Sequence, residues 1–358
     1  MSAPADILAA REALVGWLLD RAFPLWWDPG ADLAAGGFHD RLDAAGRPMA
    51  GPQRARVQAR QVFAYRHAGE LGWSGPWRAA MTHGLAALEH HFRRPDGLYR
   101  SVRGQDAADL YDQAFVILAH AQVEGEARAL ALLERLPRGG AGGFAEFDGD
   151  ELLANPNMHL FEAALAWVEA GGEGPWREMA ADQARLAATR LIDAETGAIS
   201  EVFGPGWIGP EAPAERRVEP GHQFEWAWLL MRWSLASGDA AALGAALRLI
   251  EIAERCGVDP VRNVAINALD GDLEPVDAGT RLWPQTERLR AHLLAGALTD
   301  DLACWRLAVK AAEGVWKFLE PTGLWRDSLE SGDAAPASSL YHIVGAAWQL
   351  DQTARGVL

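Results

Sequence analysis

Residues 155–167 read NPNMHLFEAALAW and residues 219–228 read EPGHQFEWAW, two stretches in which a proline precedes a histidine and a glutamate follows that histidine at i+3. In both, apolar residues recur three and four apart, the spacing of one helix face. Proline suits a helix start, where its missing N–H has no intrahelical partner to lose. Pro156 and Pro220 are therefore expected just ahead of the helical pattern, with His159 and His222 in or near the first turn. Glu162 and Glu225 then lie on the same face as the histidines, within reach to fix their tautomers. Residues 336–348, PASSLYHIVGAAW, repeat the arrangement around His342, but Gly345 takes the i+3 place. An acidic partner for His342 has to come from elsewhere in the chain.

Outward from these stretches, residues 108–121 (ADLYDQAFVILAHA) and 286–298 (TERLRAHLLAGAL) keep the helical spacing, and Gly/Pro segments such as RGGAGGF and GPGWIGP separate the helices. Strand-like runs are few. Arg60, Tyr111, His159, His222, Trp283 and His342 open successive helical segments at intervals of 51, 48, 63, 61 and 59 residues. An interval of this size fits one helical hairpin with its loop, and units that cannot bury their faces alone must stack or close. The expected fold is all-α, an (α/α)6 toroid of about twelve helices, forming one domain over residues 1–358. Of the 16 tryptophans, Trp26, Trp27, Trp207, Trp283 and Trp325 stand at loop or helix edges, where their faces are expected to line a sugar-sized cleft.

Of 358 residues, 49% are hydrophobic and 23% charged, the composition of a globular chain with a large core. A net charge of −16 repels phosphodiester backbones and anionic membrane surfaces, so neither nucleic acid nor membrane is an expected partner. Cys256 and Cys304 are the only cysteines, which gives no disulfide framework and suits a reducing cytoplasm. Residues 1–23 carry Asp6, Arg11, Glu12 and Asp20 through their apolar stretch, so they read as an amphipathic first helix and not as a signal peptide.

A helix N-terminus disfavours imidazolium and stabilises nearby negative charge. Three neutral histidines so placed, His159, His222 and His342, suit proton abstraction beside a carbonyl. The HxxE order is the reverse of the di-iron bundle motif, and zinc favours closer His or Cys ligands, so no metal is expected. No GxGxxG, P-loop or GxSxG is present, so no nucleotide cofactor is expected. Arg56, Arg60 and Phe63 share a helix face, and Arg54, Arg56 and Arg60 together offer a small anion a cationic cluster. Trp283 and Glu287, four residues apart, combine a stacking surface with an acceptor, and Glu225 with Glu287 is the best carboxylate pair for glycoside hydrolysis.

Taken together, QARQVFAY, YDQAFVILA, NPNMHLFEA, EPGHQFEW, LWPQTERLRA and SLYHI, between about Gly36 and Gln352, resemble the N-acylglucosamine 2-epimerase superfamily. The resemblance implies an (α/α)6 barrel that interconverts sugars at C1 and C2 without a metal or other cofactor. It assigns substrate binding to Arg60, ring opening to His159, and the acid/base pair to His222 and His342. Tyr111, Asn155, Glu225, Trp283 and Glu287 fall at other pocket positions. PASSLYH lacks the tryptophan that precedes the equivalent histidine in cellobiose epimerases, which places the chain nearer the mannose isomerase branch. The expected reaction interconverts D-mannose and D-fructose through a cis-enediol or enediolate. The alternatives are 2-epimerisation, isomerisation of a phosphorylated or sulfonated hexose, glycoside hydrolysis on the same toroid, and non-catalytic sugar binding.

Overall fold

Each stretch of helical spacing becomes a rod. In the computed structural model, which describes residues 4–332 and 334–357, α1 (Ala5–Trp17) continues through a π turn at Leu18–Ala22 into α2 (Phe23–Trp27). Eleven more α-helices follow among the described residues: α3 (Ala55–Glu70), α4 (Trp77–Ala87), α5 (Leu110–Ala121), α6 (Glu126–Leu133), α7 (Ala154–Glu169), α8 (Pro175–Leu186), α9 (Pro220–Ser237), α10 (Ala240–Gly257), α11 (Leu282–Thr299), α12 (Leu302–Trp316) and α13 (Ser339–Arg355). Helices α3, α5, α7, α9, α11 and α13 pack each against the next, and α13 returns to α3, so they close a ring. Outside it, α4, α6, α8, α10 and α12 each lie on the preceding inner helix, and α1 lies on α13. This is the expected (α/α)6 toroid. The inner helices are buried nearly all round, as a helix enclosed by two layers must be.

The two mouths of the ring differ. Inner helices pass to outer ones through short turns, down to Gly238 and Asp239 between α9 and α10. There Gly238, at φ 78°, ends α9 in the left-handed region that glycine adopts without strain, and the Asp239 carboxylate caps α10 by accepting from the N–H groups of Ala241 and Ala242. Outer helices return through long segments, 28–54, 93–109, 134–153, 192–219, 258–281 and 317–338, all of which meet the inner N-termini.

One device ties five of these segments down. The fourth residue of each of five inner helices is an amide, namely Gln58, Gln113, Asn157, Gln223 and Gln285. Each accepts from the N–H of one residue in the incoming segment and donates to that residue's carbonyl. Those residues are Phe38, Tyr99, Phe144, Ile199 and Ala265, held at 2.7–3.1 Å. Such a side chain stands in for a neighbouring strand and satisfies backbone groups that the loop buries. In α13 the fourth residue is His342.

Three details differ from the sequence expectations. Residues Val264–Leu269 and Pro275–Thr280 form an antiparallel hairpin that the helical reading passed over. Trp26 and Trp325 stack on each other at 4.6 Å in the core, and Trp207 is buried against Phe203, so of the five edge tryptophans only Trp283 reaches the cleft. Pro156 is the third residue of α7, which places His159 sixth and in the second turn. The first helix is present from Ala5, and residues 1–3 lie outside the described residues. No helix among the described residues is long and apolar enough to cross a membrane.

Candidate active site

The inner N-termini surround a cavity of about 650 Å³ whose wall includes Arg60, Tyr111, Asn155, His222, Glu225, Trp283 and His342. His159 and Glu287 lie beneath this wall. Trp283 packs against two imidazoles, with ring centroids 4.8 Å from His222 and 5.8 Å from His342. Gly221 makes this possible, since a Cβ there would stand 2.5 Å from the Trp283 ring.

His342 Nδ1 lies 2.8 Å from Glu287 Oε1. Donation from Nδ1–H to that carboxylate leaves the lone pair on Nε2. Burial, reinforced by the charge of Arg60, holds this imidazole well below the ordinary histidine range, so it is neutral at pH 7. Glu287 turns its other oxygen to Arg290, 2.8 Å away. Burial pushes Glu287 up, to about 7, against the pull of Arg290.

His159 pairs with Glu162 at 3.2 Å, as the i+3 spacing predicts. Burial lowers His159 to about 4. Burial alone would raise Glu162; the hydrogen bond from His159, the charge of Arg290 at 3.6 Å and the donating Tyr341 hydroxyl outweigh it and hold Glu162 at about 2.

The predicted pairing of His222 with Glu225 is not formed. His222 Nδ1 lies 2.8 Å from Glu201 and 3.7 Å from Glu219, whereas Glu225 lies 3.9 Å from His159. The carboxylates of Glu201 and Glu219 outweigh burial and raise His222 to about 9, so this imidazole is charged at neutral pH, in contrast to the neutral state expected from its helix start. Burial raises Glu201 too, and the contact to His222 opposes this. Glu225 has no partner for either oxygen, and burial with the charges of Glu287 and Glu162 raises it well above the carboxylate range. Burial thus favours its protonated form at the cavity wall.

The arginine cluster divides. Arg54 pairs with Asp40 at 3.4 Å, and Arg56 is held by Asp109 and Asp112 at 2.9–3.1 Å. Arg60, 5% exposed, has no carboxylate at ion-pair distance among the described residues. It donates to the Tyr111 hydroxyl at 2.5 Å, leaves Nε unpartnered, and lies 4.1 Å over the Phe115 ring. An uncompensated guanidinium on a cavity wall is suited to an oxyanion.

Two groups, His159–Glu162–Glu225 and Glu225–Glu287–His342, bring one donor atom from each residue within 4.8 Å. Arg290, bonded to Glu287 and beside Glu162, already supplies positive charge there. Sequence reasoning missed Glu201, Glu219, Tyr341 and Arg290. Arg290 was legible at i+3 from Glu287 and Tyr341 by adjacency to His342. Glu201, brought in by the pairing of Leu152–Leu153 with Val202–Phe203, had no local signal.

A toroid whose inner N-termini gather histidines, buried glutamates and an unpaired arginine at one mouth is the frame of a sugar isomerase or epimerase. The chain belongs to the N-acylglucosamine 2-epimerase (GlcNAc 2-epimerase) family, whose sequence model matches residues 36–346. It is similar to the mannose-6-phosphate isomerase of Rhizobium meliloti (strain 1021), at 39% identity over 97% of this chain and 98% of that protein. It is also similar to the D-mannose isomerase of Thermobifida fusca, at 29% identity over 80% of this chain and 81% of that one. A crystal structure of D-mannose isomerase superposes with a TM-score of 0.87 at 20% identity, covering 98% of this chain and 100% of the other, a likeness of fold.

Proposed function

We propose that the chain, as one catalytic domain over residues 1–358, interconverts D-mannose and D-fructose without a metal or other cofactor. The observation that carries this reading is the pair of imidazoles packed against Trp283, one neutral and one charged. His342 Nε2 takes the proton from C2 of the open-chain aldose and returns it to C1 on the same face of a cis-enediolate. His222 gives a proton to O1 and recovers one from O2, so atoms and charge balance over the cycle. Arg60 and the neutral Glu225 stabilise the oxygens as charge develops. His159, beneath the wall, serves ring opening. Two free cysteines agree with work in a reducing cytoplasm.

A second reading, isomerisation of mannose 6-phosphate, is favoured by the name of the 39% identical relative and by Arg281 on the cavity wall, whose nearest carboxylate, Asp327, is 3.9 Å away. Incubation of the purified protein with mannose, glucose, fructose, mannose 6-phosphate and, separately, a mannose oligosaccharide, followed by sugar chromatography, separates the readings. Fructose formed from mannose is expected. Turnover of the phosphate ester alone selects the second reading, and cleavage of an oligosaccharide with no redistribution among hexoses rejects both.

A further inference from the structure

Resting on that reading, a further assignment follows from how His222 is held. Its ring meets a carboxylate from two different segments, Glu201 at 2.8 Å and Glu219 at 3.7 Å. Glu201 is not loosely placed. Its carbonyl accepts from Ala154 N–H at the start of α7 and its own N–H donates to the Arg217 carbonyl, so its backbone is tied to the entrances of both α7 and α9. The other charged or titratable groups that face His222 are few. Arg217 is engaged with Glu219 at 2.8 Å, Glu225 lies one turn on along α9, and His159 stands on α7. From the start of α11 the ring meets Trp283, which also lies 6.0 Å from the Arg281 guanidinium and 5.8 Å from His342 of α13.

An aldose of mannose configuration and its C2 epimer, glucose, present the C2 hydrogen on opposite faces of the carbon. His222 of α9 and His342 of α13 both stand against Trp283, so a sugar over that ring meets an imidazole from each of two inner helices, and each epimer needs a different one as base. We propose that Glu201, assisted by Glu219, is a positioning residue that keeps His222 protonated, so that only His342 can take a proton from C2 and the enzyme acts on mannose in preference to glucose. With a proton on both ring nitrogens, His222 has no lone pair for the C2 hydrogen of glucose, yet it remains a donor to O1 of mannose. The discrimination thus lies in a protonation state and needs no steric exclusion of the epimer.

The test compares fructose formation from mannose and from glucose between pH 6 and 10 in the wild type, Glu201→Gln and Glu201→Asp. In the wild type the glucose-to-mannose ratio of kcat/KM is expected to rise by about tenfold per pH unit toward pH 9, as neutral His222 becomes available. Glu201→Gln should raise that ratio at pH 7 by about tenfold or more, and Glu201→Asp, which keeps the charge, should restore the wild-type preference. A ratio flat with pH and unchanged in Glu201→Gln overturns the proposal, whatever happens to the overall rate. Nitrogen chemical shifts in 15N-histidine-labelled enzyme without substrate, with the His222 signals assigned by their loss in His222→Asn, keep this separate from the functional reading. A doubly protonated His222 ring at pH 7 that turns neutral in Glu201→Gln supports the assignment even if neither sugar reacts. A neutral wild-type ring overturns it.

Discussion

At the scale of single residues, the site works by giving chemically identical side chains different surroundings. His342 is neutral because it is buried beside Arg60 and Arg290, while His222 is charged because two carboxylates reach it. His342→Ala is expected to lose about 10²–10⁴-fold in turnover with an unchanged circular dichroism spectrum, the range for a general base; near-full activity would remove it from the mechanism. His222 also leaves a mark on stability. Its pKa in the folded protein, about 9, exceeds the ordinary 6.5, so its stabilising contribution is complete below pH 6.5 and is lost as pH rises through 9. The melting temperature of His222→Asn should therefore fall short of the wild type most at pH 6 and least at pH 10. A gap constant across that range would show that the ion pair contributes nothing to stability. Of the pairings, His159–Glu162 was legible because a helix fixes i+3 neighbours. His222–Glu201 was not, because its two members are 21 residues apart with a strand pairing and a long loop between them.

At the scale of elements, the amide clamps hold the site-bearing loops to the inner helices. Gln223 is fully buried and satisfies both backbone groups of Ile199, two residues before Glu201. Gln223→Ala leaves that N–H and carbonyl buried without partners, a loss of about 1–3 kcal/mol for each group. It should lower the midpoint of denaturant unfolding and also weaken the hold on Glu201. A midpoint shift equivalent to less than about 0.5 kcal/mol would mean that water or a rearranged loop replaces the clamp. The recurring amide stands in plain sight in the sequence, the fourth residue of five of the six inner helices. It carries no periodicity of hydrophobicity, which is the signal that located the helices. The 264–280 hairpin escaped for a related reason: VAINAL is a short apolar run that periodicity cannot distinguish from a buried helical turn.

At the scale of the whole molecule, the ring brings six helix starts to one mouth and concentrates buried glutamates around Arg290. That guanidinium, 2.8 Å from Glu287 and 3.6 Å from Glu162, sets a fixed positive charge against one carboxylate of each His–Glu group. Activity should therefore survive exhaustive dialysis against a strong chelator, measured as the initial rate of fructose formation from mannose. A loss that one added divalent ion restores would overturn the metal-free reading.

The sequence by itself determined the helical periods and their recurrence, because a helix and its i+3 and i+4 neighbours are local properties of the chain, although Arg60 and His159, expected to open helices, are each the sixth residue of theirs. The periods yielded the toroid, and the resemblance to the 2-epimerase family is what set Tyr111 and Asn155 in the same pocket as Arg60, His222, Trp283 and His342. Only the tertiary structure decided which carboxylate meets which imidazole, that Arg56 is neutralised while Arg60 is not, and which tryptophan faces the cleft. Those outcomes depend on contacts between segments distant in the chain, 55 residues apart for His342 and Glu287 and 56 for Arg56 and Asp112. A protonation state is set by the sum of burial and neighbouring charge, which no stretch of sequence contains until the ring has closed.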